Sequence, residues 1–102
     1  MIATYRPKPG CAQQLEELVK SHVPILRSLN LATERFGFIL KSKVDGTMLE
    51  IFEWASAEAA NTAHHHSAVG EIWAKMEELG SFGTLHSLEE GNKTFPHFDV
   101  VS

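Results

Sequence analysis

The chain predicts an α+β fold of the split β-α-β type, a four-stranded antiparallel sheet with its helices on one face. Three observations carry this expectation. Strand-like and helix-like stretches follow one another as strand, helix, strand, strand, helix, strand along 102 residues, the order that this arrangement requires. An Asp45-Gly46 pair separates the two middle strand-like runs, and Asp-Gly in that setting is a short-range signal for a hairpin. The run from Thr47 to Trp54 places Met48, Glu50, Phe52 and Trp54 on one side and Thr47, Leu49, Ile51 and Glu53 on the other, because strand side chains alternate. Both sides carry large apolar groups. The helices cover one, so the other needs a cover of its own, and a second copy related by two-fold symmetry supplies it. The expected assembly is a homodimer whose two sheets close into a barrel.

Taken in order, Ile2 to Arg6 reads as a short strand, closed by Pro7-Lys8-Pro9-Gly10, where two prolines remove two donors. A helix follows Cys11. Leu15, Leu18, Val19, His22, Leu26 and Leu29 fall on one helical face, away from Gln13, Gln14, Glu16, Glu17 and Lys20. Pro24 interrupts the pattern, so a kink or break is expected near His22, with Ile25 to Leu29 as a further turn. Glu34 to Lys43 reads as the second strand, with Gly37 marking a bulge or a close backbone approach.

After the third strand, Ser56 is placed to cap a helix running from Ala57 to about His65. Ser67 reads as a second cap or a bend. Val69, Ile72, Trp73, Met76 and Leu79 then form an apolar stripe ending at Gly80, a natural residue just past a helix end. The fourth strand is expected over Gly83 to Ser87, and Leu88 to Thr94 as a turn or short helix. Phe95 to Val101 is too apolar for a free tail and should dock on its own subunit or on a partner. The whole of 1–102 is thus one domain, with 88–102 as a C-terminal extension.

Nine Lys and Arg scattered through a chain of net charge −4 give no basic face of the kind that tracks phosphates, which sets nucleic acid aside. The single cysteine, Cys11, forbids an internal disulfide and fits a reducing compartment. No stretch approaches the ~18 apolar residues of a membrane span, and no basic region followed by an apolar run opens the chain. A cytoplasmic protein without a membrane partner is expected.

Lys8-Pro9-Gly10 before the first helix, Leu49-Glu50-Ile51-Phe52-Glu53-Trp54 with Ser56-Ala57-Glu58-Ala59-Ala60, and Ala63-His64-His65 with Ser67-Ala68-Val69 and Trp73 resemble the antibiotic biosynthesis monooxygenase (ABM) family of dimeric α/β barrels. The resemblance covers roughly residues 1 to 87. It implies a ferredoxin-like subunit in a homodimer. For function it implies a cofactor-independent monooxygenase acting on a phenolic or quinol substrate, or a non-catalytic binding or interaction module. Heme-degrading relatives use an Asn on the first strand, and Ile2-Ala3-Thr4-Tyr5-Arg6 has none.

His64-His65-His66 is the most conspicuous polar run. Consecutive helical residues diverge by about 100°, so the three cannot converge on one ion, and a metal site is not expected. His64 shares a helical face with Ala60 and Ala63 and is expected to point inward, more buried than His66. There it would serve as a catalytic base, taking a proton from a phenol or hydroquinone before the electron-rich anion meets oxygen. The competing role is a hydrogen-bonded histidine at a helix end. Trp54, Trp73, Phe52, His22 and His65 are the expected contacts for a small apolar or aromatic ligand, although the two tryptophans fit core packing as well. His22 is either a core histidine bonded to a backbone group or a second polar wall of the pocket. Glu50 and Glu53 lie on opposite faces of one strand, so they form no carboxylate pair, and one is expected to meet Arg6, Arg35 or Lys41. Cys11 lacks the partner that a redox role needs. No cofactor is expected.

Overall fold

A computed structural model describes residues 1–102. Strand β1 (Ile2–Pro7) leads through helix α1 (Ala12–Ser28) to the hairpin β2 (Phe38–Lys41) and β3 (Met48–Ile51). Helices α2 (Ala57–His64) and α3 (Ser67–Leu79) follow, then β4 (Gly80–Gly83), two 3-10 turns and β5 (Asp99–Val100). The sheet is antiparallel in the order β4-β1-β3-β2-β5. Its first four strands have the split β-α-β order. The fifth is the docked tail, which bonds along β2 with Leu40 opposite Val100 and with Val101 N donating to Ile39 O at 2.8 Å. The sheet therefore has five strands where four are expected, because the backbone of Asp99 to Ser102 satisfies an edge of its own subunit, while the side chains of Phe95 and Val100 stay exposed.

The hairpin forms where Asp45-Gly46 predicts it. Gly46 takes φ +76°, a region that favours glycine, and Asp45 Oδ1 accepts from Thr47 N at 2.9 Å. Gly37 marks a close approach: a Cβ there would lie 2.7 Å from the Ile51 carbonyl oxygen. The strand starts only at Phe38, so Glu34 to Gly37 lie outside it.

Four expectations need correction. Helix α1 runs unbroken through Pro24. Pro24 is exposed, and so is Lys20, whose carbonyl loses its helical donor there, so water can replace the missing bond. The second cap is His66, whose Nδ1 accepts from Ala68 N at 3.2 Å, and Ser67 is already helical. Gly80 is extended and opens β4. It is required because a Cβ would lie 2.5 Å from the Arg6 carbonyl oxygen and 2.8 Å from a Leu15 methyl. The fourth strand consequently occupies Gly80–Gly83, and Leu85–Ser87 is a 3-10 turn.

The helices cover one face of the sheet. Tyr5, Ile39 and Met48 from the strands pack with Leu15, Val19 and Met76 from the helices, while Phe52 joins Val23, Leu26, Ala59, Ala63 and Val69 in a second cluster. Trp73 packs against both. On the far face, the row Ile2, Ile51, Phe38 crosses three strands in register, and Ile2 and Phe38 are each about half exposed. Phe36 stands edge-on to Phe38 at 5.0 Å. The next row holds Thr4 and Leu49, both buried. Near it Leu88 is buried, and the Glu90 carboxylate accepts from Ser42 Oγ at 2.8 and 2.9 Å and from Lys43 N at 3.1 Å. The segment after β4 is thereby tied back to the β2–β3 turn.

Candidate functional site

Alternation along β1 and β3 turns Ala3, Tyr5, Met48 and Glu50 toward the helices. Ala3 faces Glu50 across the strand pair, and Tyr5 faces Met48. A methyl group opposite a carboxylate leaves space, and a cavity of about 280 Å³ opens there. Its walls include Tyr5, His22, Trp54, Trp73 and Phe82. Each side chain is placed by a local rule: His22 by the apolar stripe of α1, Trp73 by that of α3, and Trp54 by its isolated bridge to Ala32 just beyond β3.

One chain of hydrogen bonds runs behind and along this wall. Tyr5 Oη donates to Glu50 Oε1 at 2.6 Å. His22 Nδ1 lies 2.9 Å from the same oxygen, and Trp73 Nε1 donates to His22 Nε2 at 3.0 Å. The indole N–H can only donate, so Nε2 must accept, and the ring proton therefore sits on Nδ1 and is donated to Glu50. Tyr5, His22 and Glu50 are all buried, with Glu50 fully enclosed. Burial, followed by the charge of Glu50 and the hydrogen bond to it, pushes the Tyr5 phenol far above its ordinary pKa, so it remains a donor. Glu50 Oε2 has no donor from the protein. Glu50 also borders a smaller cavity of about 110 Å³, beside Lys20 and Arg27.

The expected residues fall into two groups. His22, Trp54 and Trp73 come together at the cavity. Phe52 lies behind it in the core, edge-on to His22 at 5.7 Å and to Trp54 at 4.9 Å. His65 is exposed, and its Nδ1 lies 3.0 Å from the Asn61 carbonyl oxygen of its own helix. His64 is exposed as well, while His66 is half-buried, the reverse of the expected ranking. The buried face of α2 is Ala59 and Ala63. One further residue turns the helix by about 100°, which carries His64 outward, where its ring stands edge-on to Trp73 at 5.0 Å.

The buried imidazole of the site is therefore His22. Sequence reasoning also missed Glu50 and Tyr5. The available signal was that Glu50 shares a strand face with Met48 and Phe52, a face that must be buried, so its carboxylate needed interior donors. Glu53, on the other face, pairs with Arg35 at 3.3 Å, one of the three partners expected for these two glutamates. No three His, Cys, Asp or Glu side chains converge as a metal ligand set, and no helix is long and apolar enough to cross a membrane.

The arrangement is an aromatic-walled cavity beside one oriented imidazole, whose Nδ1 is engaged by Glu50 and whose Nε2 is engaged by Trp73. A scan against protein-family models and a search of curated proteins find no match to this chain, so the cavity and its hydrogen-bonded wall carry the functional reading.

Proposed function

We propose that the chain forms a homodimeric α/β barrel of the ABM type and binds a small, flat, aromatic ligand in the cavity beside His22. The resemblance rests on the residues quoted above. The observation that carries the ligand reading is a cavity walled by Trp54, Trp73, Phe82 and Tyr5 with a single carboxylate-backed imidazole. The exposed row Ile2, Ile51, Phe38 supports the dimer, since a continuous apolar strip on a sheet face is a surface that a second copy covers. The lone Cys11 fits a cytoplasmic setting.

The chemistry we infer is cofactor-independent oxidation of a phenolic or hydroquinone ligand by dioxygen. His22 Nε2 takes the phenolic proton, and Glu50 stabilises the resulting imidazolium through Nδ1–H. The ligand anion supplies the electrons that reduce O₂. An anthrone-like ligand binds as its enol and gives up the O–H proton. The C10–H carbon of the resulting anion takes one oxygen of O₂ and becomes a carbonyl, and the other oxygen leaves as water with the C10 hydrogen and the proton. His22 replaces His64 in this role because His64 lies outside the cavity wall.

One observation favours a second reading, ligand binding without chemistry: Trp73 already occupies the lone pair that the base needs. Oxygen uptake with anthrone separates the two. Uptake above the buffer rate that falls by about 10²-fold or more in His22→Gln, and stays near the unmutated rate in His64→Ala, supports oxidation. Uptake no faster than buffer, with anthrone still bound, leaves the binding reading in its place.

A further inference from the structure

His22 and Trp73 differ in how firmly they are held. The imidazole is buried, and its Nδ1–H is fixed on Glu50, which Tyr5 holds in turn. Trp73 is half-buried, its hydrogen bond runs from Nε1 to His22, and its outer neighbour is the exposed ring of His64. Both residues line the main cavity. If one partner of this bond moves, it is the indole.

We propose that Trp73 holds the place of a ligand hydroxyl: the cavity takes an aromatic ligand bearing one O–H, which replaces the indole N–H on His22 Nε2 as Trp73 turns outward. The proposal rests on the ligand-binding reading above and names the group that the ligand must carry. Nε2 is the acceptor of a buried imidazole, and a buried acceptor left without a donor is unfavourable. A ligand that brings an O–H can release Trp73 and keep Nε2 bonded. A methyl ether of the same shape brings a lone pair against a lone pair, so the site rejects it in the way that a site built for a hydroxyl rejects the analogue without one. At about 280 Å³ the cavity is at the small end of ligand pockets, suited to two or three fused rings.

The test uses calorimetric titration of the full chain with 1-naphthol, 1-methoxynaphthalene and naphthalene. The unmutated protein is expected to bind 1-naphthol about tenfold or more tighter than either analogue. Trp73→Phe keeps an aromatic ring and removes the competing N–H, so it should tighten 1-naphthol several-fold and leave the methyl ether within about twofold. In the unmutated protein, saturation with 1-naphthol should shift the Trp73 indole N–H proton resonance, and the methyl ether should leave it in place. This second measurement stands if the variant does not fold. Equal affinity for 1-naphthol and its methyl ether overturns the proposal and leaves the cavity reading intact. An indole resonance that 1-naphthol saturation does not move overturns it in the same way. Failure of all three compounds to bind overturns both.

Discussion

Tyr5 and Glu50 meet diagonally across the β1–β3 pair through a 2.6 Å hydrogen bond with both side chains buried. Because His22 donates to the same carboxylate oxygen, Glu50 is the common anchor of two donors from separate elements. Removing it strands both in the core. Glu50→Ala should lower stability by about 2–5 kcal/mol, since two buried neutral donors lose their acceptor at about 1–3 kcal/mol each. Glu50→Gln keeps an acceptor and should lose clearly less. Urea denaturation of the two variants reads the difference, and equal losses would contradict the anchor role.

Two glycines make opposite predictions. A Cβ at Gly80 meets the Arg6 carbonyl and Leu15, whereas one at Gly70, inside α3, meets nothing within 4 Å. Gly80→Ala should destabilise by about 1–3 kcal/mol through overpacking. Gly70→Ala should stabilise by about 0.5–1 kcal/mol, as expected for a helix interior. Thermal melts of both variants check the signs.

Asp45 gives a pH dependence. The backbone hydrogen bond from Thr47 and, after it, the neighbouring Arg6 hold its carboxyl at about 2, below the usual range. A depressed folded-state pKa adds stability that is present above the unfolded value of about 4 and is lost as pH falls through the folded one. Asp45→Asn removes the charge while keeping the acceptor for Thr47. The stability gap between the two proteins should therefore be full at pH 6 and close between about pH 4 and pH 2 in denaturant titrations.

The docked tail should be structural. Deleting 95–102 removes the β2–β5 pairing, the Ile39 bonds to Val101 and Ser102, and the Lys43–Asp99 ion pair at 2.7 Å. A loss on the order of 2–4 kcal/mol is expected from several backbone hydrogen bonds, seen as a lower urea midpoint. An unchanged midpoint would mean that the fifth strand adds nothing to stability.

Dimerisation is tested at the far face. Phe38→Lys puts a charge in the exposed apolar row without touching the wall of the main cavity. Sedimentation at micromolar concentration should show twice the 11.3 kDa chain mass for the unmutated protein. The variant should be monomeric, its dimer weakened by more than about tenfold, the loss expected when a charge is buried without a partner.

The order of elements, the Asp45-Gly46 hairpin, the Ser56 cap and the docking of the tail could all be read from the residues. The hairpin and the cap depend on chemistry within a few positions, a turn that needs positive φ and a hydroxyl that meets Ala59 N at 3.0 Å. The tail docks as expected but through its backbone, with Phe95 and Val100 left exposed. Helix periodicity likewise put His22, Trp73 and Met76 on inward stripes. The interior imidazole was harder to identify. On a helix of eight residues, shifting the buried face by one position exchanges which side chain faces the core, and local pattern does not resolve that shift.

What the sequence determined was therefore local: periodicity, caps and turns act over a few residues and do not depend on where distant segments lie. Tertiary structure alone decided three further matters. It made Gly80 a contact point against Arg6 and Leu15, sent the tail to the β2 edge of its own subunit, and brought Tyr5, His22, Glu50 and Trp73 into one hydrogen-bonded line. Those four residues lie on four separate elements, and the bonds between them join positions 28 to 51 residues apart. Such bonds form because a carboxylate enclosed by the packed sheet and helices must find donors wherever the fold delivers them.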